Sequence, residues 1–266
     1  MAGDKIAHVE LNSPKTKNAF SLETASELIK VFDSLESDSS VRCVILSGNG
    51  PDFTSGVDIK SFMGLYQKLQ ETDDIAHRAK LLRVTVERFQ APFKRIYRFE
   101  KPIICVQHGL CLGLGMELSA CSDIRYCSRD VRMAIREVMI GIAADVGSLQ
   151  LLPHLTSNQS LLSELIFTGR YLTPDEALKL GFVSHIGETK EETLEKAMDL
   201  AETIASRSPV AVQGSKKNLQ FSRDKPFHVG LDYNAVWNAA MMQGEDLVKA
   251  IGAIVSKDDN VEYEDL

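Results

Sequence analysis

Apolar residues recur along this chain with two periods. Lys5–Leu11 alternates apolar and polar positions, the pattern of a half-buried strand. After Asn18-Ala-Phe-Ser21 the spacing lengthens, and Leu22, Ala25, Leu28, Ile29, Phe32 and Leu35 fall on one face of a helix. Arg42–Ser47 (RCVILS) predicts a short buried strand, and the glycine-rich NGPDFTSG after it a loop. Ile75–Phe99 carries a long amphipathic helical pattern, with an interruption or kink expected near Pro92. Pro102 restarts the chain as a buried strand, IICVQ, and a glycine-punctuated turn leads into helix at Gly115–Ala120. Strands are expected over Ile124–Cys127 and Met133–Glu137, then an apolar loop through Asp145 and helix again over Gly147–Leu155. Thr173-Pro-Asp-Glu176 reads as a capping box with proline at the first helical position, and Gly181 as the stop. Strands and helices repeating with short connections predict a layered α/β core.

The pattern changes after about Glu191. From there to Asp258 it is helical throughout, with breaks expected at SPVAVQGSK and at an Arg223–Pro226 turn. The chain is therefore divided into a core over residues 1–190 and a helical region over 191–266, able to pack on the core or on neighbouring subunits. No internal repeat or low-complexity run interrupts either part.

Composition narrows the function classes. The 266 residues are 44% hydrophobic and 25% charged, ordinary for a globular chain with a sizeable core. A net charge of -7 argues against a general nucleic-acid or anionic-membrane binder. The five cysteines, Cys43, Cys105, Cys111, Cys121 and Cys127, form no CxxC and lie mostly in apolar runs, which predicts reduced, buried thiols and no metal site. No stretch reaches the apolar length of a membrane-spanning helix. MAGDKIAHVELN has no signal-peptide or transit character, and YEDL is not a peroxisomal SKL-type address.

The candidate chemistry is acidic. Glu117 lies in GLGMEL, and Glu137 and Asp145 in REVMIGIAADVG. A carboxyl on an apolar background loses hydration and holds its proton more tightly. Several such groups in one pocket push each other's pKa values apart, leaving one as base and another as acid. Local sequence also allows plainer roles: a helix N-terminal carboxylate for Glu117, a strand-end acid paired with Arg136 for Glu137, and an N-cap for Asp145. Two glycine-bearing turns, DFTSGVDI (Asp52–Ile59) and LGLGMEL (Leu112–Leu118), could each offer a backbone N–H to an oxyanion. The second is not a dinucleotide fingerprint, because Leu118 replaces the third glycine. Among other polar residues, His108 reads as a core histidine, Asp123 as a structural acid bonded to backbone or Arg125, and Lys216 and Lys217 as a solvated helix face. No GxSxG, P-loop or HExxH motif is present.

NAF near the start, FTSGVDI, KPIICVQHGLCLGLGMELSACSDIRY and GRYLTPDEALKLGFV occur in an order that resembles the crotonase (enoyl-CoA hydratase/isomerase) superfamily over essentially the whole chain. REV at Arg136–Val138, GIAADVGSLQLLP and SPVAVQGSKKNL resemble its branch of dienoyl-CoA isomerases, which shift 3,5-dienoyl-CoA to 2,4-dienoyl-CoA in unsaturated fatty acid β-oxidation. The resemblance implies an α/β spiral of ββα units with a C-terminal helical trimerisation region, assembling as homotrimers or hexamers (dimers of trimers). It implies an acyl-CoA thioester substrate with no cofactor beyond the coenzyme A it carries, no nucleic-acid partner, and a mitochondrial or peroxisomal setting, with the cytosol left open by the absence of both addresses. Position by position, Val57 and Leu114 match the oxyanion-hole N–H donors. Gly56, Val57, Asp58, Ile59, Lys60 and Leu114 match the substrate-contacting positions. The family usually has glycine where Leu114 stands, so this side chain must point away from the thioester. Glu137 matches the base that takes a proton from C2, Asp145 the acid that delivers one at C6, and Glu117 an acidic position that is usually aspartate in the isomerases and glutamate in the hydratases. Two rivals follow: an enoyl-CoA hydratase using Glu117 and Glu137, and a non-catalytic crotonase-fold scaffold or RNA-binding protein.

Overall fold

The computed structural model describes residues 5–257 and 261–266; MAGD at the start and Asp258, the expected end of the helical region, lie outside the described residues. In chain order the elements are β1 (Ile6–Leu11), α1 (Leu22–Ser37), β2 (Cys43–Gly48), α2 (Ile59–Leu69), α3 (Ile75–Arg98), β3 (Ile103–Gln107), β4 (Leu110–Leu112), α4 (Leu114–Ala120), β5 (Ile124–Ser128), β6 (Arg132–Ala134), α5 (Ser148–Leu155), α6 (Gln159–Thr168), α7 (Pro174–Leu180), β7 (His185–Gly187), α8 (Lys190–Ala205), α9 (Pro209–Ser222), α10 (Phe227–Met241) and α11 (Glu245–Ser256).

Five strands form a parallel sheet in the order β1-β2-β3-β5-β7, and β4 pairs with β6 in a separate parallel ribbon. β2 and β3 are buried along their whole length, as the continuous apolar runs of central parallel strands require. Their alternate side chains enter two different cores. Val44, Leu46, Ile103 and Cys105 join α1 and α3 through Leu28, Phe32, Phe93 and Ile96. Cys43, Ile45, Ile104 and Val106 meet Ala197 and Ala201 of α8 on the other face. Small residues there let the helix approach the sheet closely. The helical stretch after residue 190 thus has two parts: α8 seals the sheet, and α9–α11 lie beyond it.

The fold matches the α/β expectation, with several local corrections. The strand expected over Met133–Glu137 stops at Ala134, and Glu137 instead opens a one-turn 3-10 helix, Glu137–Ile140. Its partner β4 has three residues before Gly113 turns into α4, so the ladder ends when the Gly113 N–H reaches the Ala134 carbonyl at 2.9 Å. α3 runs 24 residues without interruption at Pro92. The break expected at SPVAVQGSK is confined to its start: α8 ends at Ala205, Ser208 caps α9, and Pro209 sits at its first position, where a missing N–H costs nothing. Lys216 is not on a solvated face. It is buried, bonding Asp123 at 2.6 Å and the Lys101 carbonyl at 2.7 Å, so the partner of Asp123 is Lys216 and the Ile103 N–H, not Arg125. The capping box at Thr173–Glu176, the buried His108 and the five free, buried cysteines match their expectations.

Candidate active site

The two glycine-bearing turns run side by side. Thr54 bridges Cys111, with the Thr54 N–H on the Leu110 carbonyl at 2.8 Å and the Leu112 N–H on the Thr54 carbonyl at 3.1 Å. Three residues further along each segment lie Val57 and Leu114, so the same register brings them to one end of the pair. Phe20 pairs with this segment through the Gly56 carbonyl and the Asp58 N–H. That leaves the Val57 N–H facing the other way, since successive backbone groups of an extended chain alternate. Leu114 is the first residue of α4, where an N–H has no intrahelical acceptor. Among the described residues neither N–H has a hydrogen-bond partner. The Leu114 side chain is 7% exposed and packs in the main core, so it points away from the opening.

Glycine is required at both approaches. Gly56 has φ +90°, and a Cβ there would stand 2.9 Å from the Leu112 carbonyl oxygen. Gly113 has φ +50°, and its Cβ would stand 2.8 Å from Glu137 Oε1. The Glu137 carboxyl therefore rests against the turn immediately before the Leu114 N–H. Behind this frame, Asn18 holds the loop: its Nδ2 donates to the carbonyls of Asn49 and Asp52, and the Thr54 hydroxyl donates to its carbonyl.

The three acids form a series of decreasing burial. Glu117 is fully buried in α4, where burial and the nearby charge of Glu137 push its pKa up to about 8. Glu137 is partly buried and also raised, by lost hydration and by Asp145. Asp145 is exposed as a residue, yet its carboxyl is raised by partial burial. One oxygen of Glu117 accepts from the Ser148 hydroxyl. Glu117 Oε2 and Glu137 Oε2 are buried with no hydrogen-bond partner among the described residues. Because each group enters the other's environment, protonation of one makes ionisation of the next easier.

Two of the plainer roles do not hold here, while Glu117 does lie in the first turn of α4. Asp145 caps no helix: α5 starts at Ser148 with Gly147 as an N-cap that supplies no side chain. Glu137 is not paired with Arg136, whose guanidinium lies 5.2 Å from the Tyr171 ring centroid. Asp145 is instead tied by its backbone, the carbonyl accepting from Gln90 Nε2 of α3 at 2.6 Å. Of the expected substrate-contacting run, Asp58 is occupied as the N-cap of α2, accepting from the Lys60 N–H and the Ser61 hydroxyl, while Ile59 and Lys60 are exposed. Sequence reasoning missed Ser148, Gln90 and Asn18 as parts of the site. Nothing in GSLQ or RFQAP marks the first two, whereas Asn18 carried a signal, since asparagine tolerates the φ of 54° it adopts. Among the described residues no three His, Cys, Asp or Glu side chains group so as to hold a metal ion, and no helix is long and apolar enough to cross a membrane.

Known proteins are similar to this chain. The family model for enoyl-CoA hydratase/isomerase matches residues 2–260. The mitochondrial Delta(3,5)-Delta(2,4)-dienoyl-CoA isomerase of Mus musculus is 43% identical over 256 residues, covering 96% of this chain and 77% of the relative. The peroxisomal Delta(3,5)-Delta(2,4)-dienoyl-CoA isomerase of Arabidopsis thaliana is 37% identical over 252 residues, 95% of this chain and 90% of the relative. Among solved structures, an enoyl-CoA hydratase from Bacillus anthracis superposes with a TM-score of 0.87 at 26% identity, covering 98% of this chain and 95% of that one. A parallel sheet with paired glycine-bearing turns, a family match over nearly the whole chain and these relatives lead to one conclusion: the chain belongs to the enoyl-CoA hydratase/isomerase family.

Proposed function

We propose that this protein isomerises 3,5-dienoyl-CoA to 2,4-dienoyl-CoA. The observation that carries the reading is Asp145, a third carboxyl that caps no helix, is raised in pKa and acts electrostatically on Glu137. A hydration needs one acid–base pair around a water; a proton shift over four carbons needs a base at one end and an acid at the other. Val57 and Leu114 N–H groups donate to the thioester oxygen and stabilise the dienolate, typically by a few kcal/mol per donor. Glu137, ionised, takes the C2 proton. Asp145, protonated, gives its proton to C6, so the pair carries one negative charge before and after. Glu117 holds its own proton at neutral pH and keeps the cluster from accumulating charge. The reading needs no cofactor beyond the coenzyme A of the substrate. It also assigns the outward faces of α9–α11 to contacts between copies of this chain, as trimers or hexamers. Their apolar residues include Leu219, Phe227 and Val255, which are 73%, 82% and 79% exposed.

Hydration is the second reading, favoured by one feature: Glu117 and Glu137 are neighbours, each with an unpartnered oxygen that could hold a water. Ultraviolet spectroscopy separates the two. With 3,5-dienoyl-CoA, isomerisation conjugates the diene with the thioester and long-wavelength absorbance rises. With 2-trans-enoyl-CoA, hydration removes conjugation and absorbance falls. A rise with the first and little change with the second is expected. A fall with the second alone makes the protein a hydratase, and silence with both moves the weight to a scaffold or RNA-binding role.

A further inference from the structure

Ser148 has no role in the reaction as derived so far, yet its surroundings single it out. It is fully buried, and the only side-chain bond it makes among the described residues is donation to Glu117 Oε1. It is the first residue of α5, so its backbone is fixed by the helix while Gly147, at φ +141°, turns the chain into it. A Cβ on Gly147 would lie 3.9 Å from Glu117 Cγ, which places this turn directly against the glutamate stem. The Ser148 hydroxyl is the donor in this bond and Glu117 Oε1 the acceptor. The other oxygen, Oε2, is buried without a partner among the described residues.

We propose that Ser148 is a positioning residue, whose hydroxyl fixes the Glu117 carboxyl so that Oε1 is held by the protein and Oε2 alone is offered to Glu137 and the reacting acyl group. The alternatives are weaker. A free carboxyl in a buried site can rotate and present either oxygen, and two neighbouring acids then share a proton in several geometries. With Oε1 occupied by a donor, the proton of neutral Glu117 sits on Oε2. Glu117 then points a donor, not a lone pair, toward the base it neighbours. A hydrogen bond from Ser148 also favours the ionised form, opposing the rise that burial and Glu137 impose. Ser148 therefore sets both the direction and the ease with which Glu117 gives up its proton. This role rests on the proposed isomerisation only for its kinetic consequence; the link from Ser148 to Glu117 stands or falls without substrate.

The test has two arms. In the first, the titration of Glu117 is followed in the ligand-free protein by carbon-13 NMR of labelled glutamate carboxyls, assigned with Glu117→Gln. Ser148→Ala is expected to move the Glu117 midpoint up, and Ser148→Thr, which keeps the hydroxyl, to leave it near wild type. An unchanged midpoint in a folded Ser148→Ala protein would overturn the proposal. In the second arm, turnover of 3,5-dienoyl-CoA is measured for Ser148→Ala in the wild-type and Glu117→Ala backgrounds. About a tenfold loss in kcat with little change in KM is expected in the first background, and less than twofold in the second. Equal losses in both would assign Ser148 a purely structural role. If wild type fails to isomerise at all, the functional reading falls while the titration arm still decides the role of Ser148.

Discussion

The carboxyl cluster and the C-terminal helices both hold groups without partners, of opposite kind. At the cluster, Glu117 Oε2 and Glu137 Oε2 are buried polar atoms with no hydrogen-bond partner among the described residues. On α10 and α11, Val236 and Ile254 are apolar side chains left 75% and 78% exposed. Several comparable groups elsewhere are settled. Lys216 is buried but bonded to Asp123, Arg42 is buried but bonded to Asp265 and the Ala205 carbonyl, and the sheet's apolar residues are covered on both faces. An unpaired buried acid calls for a proton or a polar ligand, and an uncovered apolar face calls for another apolar surface. The comparison thus separates chemistry from assembly, and each side can be broken independently.

The largest effect is expected at the cluster. Asp145→Asn removes a titrating proton donor and should lower kcat for 3,5-dienoyl-CoA by about 10²–10⁴-fold while binding of the substrate, followed by calorimetry, persists. Full turnover in that variant would return Asp145 to a bystander. Leu114→Pro follows, because proline is tolerated at a first helical position and deletes one N–H. A loss of about 10²–10³-fold in kcat is expected, with circular dichroism reporting that α4 and the core survive the lost leucine packing. A loss confined to KM would place the thioester oxygen elsewhere.

The assembly side is broken by Val236→Glu combined with Ile254→Glu. Both sites are exposed in the single chain, so the fold of each copy should persist while light scattering shows the assembly falling toward monomers. If mass stays unchanged, that face is not where copies meet. Because α9–α11 lie beyond the sheet while α8 seals it, truncation after α8 is a harsher version of the same experiment, whereas truncation before α8 also uncovers the sheet.

Much of the frame is legible in the sequence because one local rule dominated at each place. Parallel strands buried on both faces leave apolar runs such as RCVILS and IICVQ, and a capping box with proline at its first position has few other meanings. The acids stood out because each interrupts apolar sequence. What stayed hidden was decided by tertiary partners. Glu137 reads as a strand end, since only the three-residue length of β4 shows that the ladder stops at Ala134. Lys216 reads as solvated, since its partners, Asp123 and Lys101, are about a hundred residues away in the chain. Helix α2 escapes notice because its N-cap, Asp58, also belongs to a turn read as loop. Pro209 misleads in the other direction, a breaker by type that starts a helix by position.

The smallest effect expected here is thermodynamic, and it tests the burial contrast without any substrate. Glu117 has an ordinary pKa of 4.5 when the chain is unfolded and about 8 when folded. Below 4.5 it is protonated in both states and contributes nothing to the pH dependence. Between 4.5 and 8 only the unfolded chain releases the proton, so stability falls as pH rises, and the loss levels off above 8. Glu117→Gln removes that slope while its amide oxygen can still accept from Ser148. The variant's gain over wild type should therefore grow between pH 5 and pH 9, reaching on the order of 2–4 kcal/mol in urea unfolding. Val236→Glu adds an acid on the exposed face of α10, where water solvates both forms, so its stability difference from wild type should be flat across the same range when measured on the monomer. Parallel slopes for the two variants would mean that Glu117 is solvated in the folded state, and the series of decreasing burial from Glu117 to Asp145 would lose its first member.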